Sequence, residues 1–100
     1  MGTSRGEALG HPVFVVRLDD ESMLPRYRRG ARLYVDPAQK PGIGDEVYVE
    51  TGTPPRAVIG VLQSQTADRL CIKPYAAPAR RLPPATRLYR IVPYEELLGF

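Results

Sequence analysis

Apolar and polar residues alternate along this chain in short runs, and each run is stopped by proline or glycine. Residues 13–18 are rich in β-branched side chains and too short for a helix, which predicts a buried strand. Residues 32–36 alternate, with Leu33 and Val35 on one face and Arg32, Tyr34 and Asp36 on the other; Pro37 ends the run. Residues 46–51 repeat the pattern, with Val47 and Val49 expected inward and Glu46, Tyr48 and Glu50 outward. Residues 56–63 carry Val58, Ile59, Val61 and Leu62, and Gly60 among them predicts a bulge or a close backbone approach. Residues 69–73 place Leu70 and Ile72 on one face, and residues 87–92 form a last strand. Between these runs, residues 21–28 predict a single helical turn, with Pro25 in its first turn, where a missing amide proton costs little. Residues 74–84 hold four prolines and are expected to be irregular. Residues 94–98 predict a further short turn. The sum is a mainly β domain, a small β-roll or barrel-like sheet of six or seven short strands.

Composition agrees with that pattern. In 100 residues there is room for one small domain. Pro 11 and Gly 9 make up a fifth of the chain, which disfavours long helices. Residues 1–12 are polar and glycine-rich and are read as a flexible linker or an added end, followed by one domain over residues 13–100. No stretch is long and apolar enough for a membrane span or a signal peptide. The net charge of +3 is mildly basic, and of the 14 cationic side chains only Lys40 and Lys73 are lysines. The single cysteine, Cys71, excludes an internal disulfide and fits a reducing cytoplasm.

Candidate chemistry centres on Ser22. It follows Asp19-Asp20-Glu21 at the mouth of the first strand and precedes Met23-Leu24-Pro25. A hydroxyl there can present a nucleophile, or it can be an ordinary turn serine, since turns favour Ser, Asp and Pro for backbone reasons. Arg26, Arg28, Arg29 and Arg32 form a basic run, which reads as a solvated face because acidic residues bracket it. The six tyrosines lack the paired spacing of an RNA-binding sheet and are read as strand-surface packing. No His, Cys or carboxylate set has metal-ligand spacing, and no phosphate loop is present, so neither metal nor cofactor is expected.

Three motifs in order carry a resemblance: Ser22-Met23-x-Pro25, then Gly30-x-x-Leu33-x-Val35-Asp36-Pro37, then Pro41-x-x-Gly44-Asp45-x-Val47. Residues 13–100 resemble the C-terminal domain of LexA-type and phage-repressor proteins. That Ser-Lys auto-peptidase family includes UmuD and, more distantly, type I signal peptidases. The resemblance extends more weakly through Arg69-Leu70-Cys71-Ile72-Lys73-Pro74-Tyr75. It implies a cytoplasmic, prophage-type transcriptional repressor that pairs as a homodimer through residues 87–92 and their neighbours. It also implies that DNA is bound only through a helix-turn-helix domain, which this sequence does not contain.

The resemblance makes Ser22 the nucleophile and requires a neutral lysine to take its proton. A lysine is neutral only where burial lowers its pKa by several units. The position expected to hold it is Ile59, or Gly60 if the register slips, and neither accepts a proton. Lys73 is the substitute base to consider, with Lys40 and His11 behind it. Asp19, Asp20 and Glu21 adjoin the serine in sequence, but adjacent side chains tend to diverge. The family's Gly-Asp pairs are replaced by Asp20-Glu21 and Gly30-Ala31, while Gly44-Asp45 is retained. A cleavage dipeptide should lie upstream of the serine; the chain offers only Leu9-Gly10, close to Ser22. Three readings follow. One is a dimerisation domain whose autoproteolysis is lost with the base. Another is an active self-cleaving peptidase with a displaced base. The third is a stand-alone partner-binding protein without DNA function.

Overall fold

The alternating runs pair with one another as strands. The computed structural model describes residues 13–93, in which these strands are β1 (Phe14–Arg17), β2 (Arg32–Asp36), β3 (Glu46–Thr51), β4 (Arg56–Gln65), β5 (Leu70–Lys73), β6 (Arg80–Leu82) and β7 (Arg87–Val92). They form one antiparallel sheet in the order β1-β2-β7-β3-β4-β5-β6. The fold is all-β, as the sequence predicts, and is compatible with a small barrel-like shape. Among the described residues there is no helix, and so none long and apolar enough to cross a membrane. The short turn expected at 94–98 and the linker at 1–12 lie outside the described residues.

Because successive side chains point to opposite faces, the sheet builds a core on each side. On one face Val47 and Val49 of β3 pack with Val58 and Leu62 of β4, Leu70 and Ile72 of β5, and Leu82 of β6. On the other, Leu33 and Val35 of β2 pack with Leu18, Met23, Tyr48 and Ile91. Tyr48 was expected outward; it is buried instead, at 9% exposure. The reason is that β3 lies mid-sheet and is covered on both faces. The ring of Phe14 meets that of Tyr48 edge-on at 5.4 Å.

β6 arises in the stretch expected to be irregular. It has three residues, too few to show a period, and it forms because Leu82 stands opposite Leu70. β4 runs two residues further than expected, its register against β5 shifting between Leu62 and Ser64. The bulge therefore falls beside Gln63, and Gly60 supplies the close approach. A Cβ there would stand 2.6 Å from Ile72 Cγ2 and 3.0 Å from both Lys73 C and Pro74 N. Only glycine lets β4 and the end of β5 come so near.

Candidate functional site

The segment after β1 doubles back before β2. Leu18 N–H donates to Ala31 O at 3.0 Å and Gly30 N–H to Leu18 O at 2.8 Å, which extends the β1–β2 hairpin. Gly30 has φ 88, the left-handed region that a Cβ disfavours. Within the excursion, Leu24 N–H donates to Glu21 O at 3.2 Å and Tyr27 N–H to Met23 O at 2.9 Å; these are turn bonds around a cis Leu24–Pro25 peptide, and the helical turn expected over residues 21–28 does not form. Met23 drives the placement. Its side chain is fully buried in the core beneath the turn, so its neighbour Ser22 is left half-buried on the wall of a cleft of about 490 Å³.

That cleft brings Ser22 and Ile59 together, with Val16, Leu18, Tyr48 and Ala57 around them and Pro74 and Ala77 on a further wall. Ile59 stands opposite Tyr48 in the β3–β4 ladder. Gly60, the alternative position, stands opposite Val47, whose side chain belongs to the other face. The hydroxyl of Ser22 donates to Asp20 Oδ1 at 2.7 Å, and the Ser22 amide donates to the same oxygen at 3.0 Å. Sequence reasoning expected the neighbouring acids to diverge; Asp20 instead curls back as a side-chain turn two residues long. The Ser22 amide, then its hydroxyl, hold the Asp20 carboxyl below its ordinary value. A carboxylate so stabilised is a poor acceptor of a proton.

Lys73 ends β5, opposite Val61. Its ammonium donates to Pro74 O at 2.6 Å and to Ala77 O at 2.7 Å, tying the turn that follows β5. Lys73 is not among the cleft-lining residues, although Pro74 and Ala77 are. Lys40 is exposed in the turn after β2, and His11 lies outside the described residues. Among the described residues no group of three His, Cys, Asp or Glu side chains is placed to hold a metal.

A second cluster escaped the sequence reading. Glu46, the first residue of β3, accepts from Tyr27 Oη at 2.7 Å on Oε1. Its Oε2 accepts from Arg26 Nε at 3.0 Å and from Tyr75 Oη at 2.6 Å. Burial alone raises the Glu46 carboxyl, but the bonds from Tyr75, Tyr27 and Arg26 outweigh it and hold the group below its ordinary value. Burial, then the bond to Glu46, pushes Tyr27 up to about 12. Neither Tyr27 nor Tyr75 sits on a strand, so strand-surface packing does not explain them. The one available signal was a carboxylate at the first position of a strand. Arg26 is thereby paired with Glu46, though exposed like Arg28, Arg29 and Arg32.

Over 69 residues the chain is 33% identical to Repressor protein C of Rhizobium phage 16-3. The chain is similar to a phage repressor. The alignment takes in 62% of this chain but 26% of the relative, so this repressor-like chain spans about a quarter of the length of the protein it matches. No family model matches it, and no solved structure matches it.

Proposed function

We propose that residues 13–100 are the self-association domain of a LexA-like or phage-type transcriptional repressor whose autoproteolysis has been lost. One observation carries this reading: Ser22 and Ile59 line one cleft, and neither lysine of the chain lines it. An aliphatic side chain stands where the resemblance calls for an amine, and it takes no proton from a serine. The likeness to a phage Repressor protein C supports the same assignment. In such a protein, pairing two chains makes the second DNA-binding event local, so two weak binders together occupy two half-sites.

The pairing surface expected at residues 87–92 is constrained by the sheet. β7 lies between β2 and β3 with both edges hydrogen-bonded. Where these ladders run, at 90–92 against β2 and 87–90 against β3, a contact with a second copy goes through side chains and not through strand addition. Sedimentation equilibrium of this chain from 1 to about 100 μM tests the proposal. A dimer is expected; a monomer throughout overturns self-association.

The competing reading is an active peptidase with Lys73 as its base. Its support is that the two carbonyls holding the ammonium belong to cleft-lining residues. To act, the amine would have to leave both carbonyls and lose its proton. A charge-assisted donor with two such partners resists leaving them.

A further inference from the structure

We infer that Glu46 is the positioning residue of the Ser22 cleft, one carboxylate that fixes the spacing of two cleft walls. Glu46 does not line the cleft. It acts through residues on two segments that do not adjoin in sequence. Arg26 and Tyr27 end the turn that begins at Ser22, and both bond to Glu46. Tyr75 lies between Pro74 and Ala77 in the turn after β5, and it reaches the same carboxylate from there. The two segments also touch directly: Ala76 N–H donates to Ser22 O at 2.7 Å.

Attachment of the Ser22 turn to the sheet would need only Arg26 and Tyr27. Tyr75 adds nothing to that attachment; its bond ties the adjoining wall to the same anchor. Oε2 is shared between Arg26 and Tyr75, so a shift of one wall changes the geometry available to the other. Glu46 is rooted in the mid-sheet strand β3, which is paired on both sides. The hub is therefore held at the end of a strand, where Glu46 pairs with Val61 of β4, while the segments it holds are turns. Whatever binds in the cleft meets walls whose separation is set from behind. The inference rests on reading the cleft as the working surface and is independent of self-association.

Site-resolved amide exchange on the intact chain tests it, with Glu46→Gln and Tyr75→Phe as variants. Gln keeps one acceptor oxygen and cannot serve all three donors. In Glu46→Gln, the Ala76 and Tyr27 amides should each exchange about tenfold faster, while Val49 in β3 is unchanged. In Tyr75→Phe, the Tyr27 amide on the adjoining wall should also speed up. Cross-wall transmission with Val49 unmoved supports the coupling. Effects confined to the mutated wall, equal acceleration at Val49, or no change at either amide each overturn it. A chain found to be monomeric would sink self-association and leave this result standing.

Discussion

Two carboxylates stand beside the turn that bears Ser22, and they do opposite work. Asp20 is exposed, and both its bonds go to a residue two positions away. Glu46 is largely covered, and its partners lie 20, 19 and 29 residues away. A local bond shapes a turn, because the chain brings its members together at little entropic cost. A long-range hub fixes where a turn sits relative to a sheet, because its bonds form only once the fold has assembled. The group nearest the candidate nucleophile is therefore engaged in turn-making, and the group that organises the cleft lies outside it. The Ser22 hydroxyl belongs to the first kind of contact, and the buried side chain of Met23, one residue on, to the second.

The sharpest way to separate the two kinds is Met23→Ala. Met23 is 0% exposed and packs with Leu18, Leu33, Val35, Tyr48 and Ile91. Truncation should cost about 2–5 kcal/mol in chemical denaturation. A cost below about 1 kcal/mol would mean that the turn is not anchored by its buried thioether. Next in size is Gly60→Ala, where the new Cβ meets backbone atoms at 3.0 Å and the Ile72 methyl at 2.6 Å. The expected loss is about 1–3 kcal/mol, read by the same method, and a neutral result would show that β4 and Pro74 are free to move apart. Smallest is Ser22→Ala. The variant loses one exposed hydroxyl bond while the backbone bond to Asp20 stays, so stability should change by less than about 1 kcal/mol. A larger loss would place Ser22 with Met23 as a structural anchor.

The same division explains what could be read from the sequence. β2 and β3 were legible because their apolar positions alternate over five and six residues against one packed side. Tyr48 was misplaced because alternation reports one buried face, and β3 has two. β6 was missed because its only apolar residue, Leu82, gains meaning from Leu70 across the ladder. At the cleft, the resemblance led to the expectation that residue 59 lies near Ser22, and both residues line it. The capture of Ser22 by Asp20 was within reach of turn chemistry and was not drawn. The hub at Glu46 was out of reach: its four members come from three segments, and no periodicity links a tyrosine in one turn to a tyrosine in another.

A serine-reactive fluorophosphonate tests whether anything in the cleft activates the Ser22 hydroxyl. The pH must be raised to enlarge the neutral fraction of an amine yet leave the fold intact. Tyr27 and Tyr48 are both pushed up to about 12, first by burial and then by their carboxylate partners. Their folded values lie above the ordinary 10.0, so their contribution to stability is complete below that value and is lost only as pH rises towards about 12. Labelling at about pH 9 therefore probes the folded chain. Intact-mass measurement after incubation should show no adduct on the native chain; a stoichiometric adduct that disappears in Ser22→Ala would show an activated hydroxyl and contradict the proposed loss of autoproteolysis.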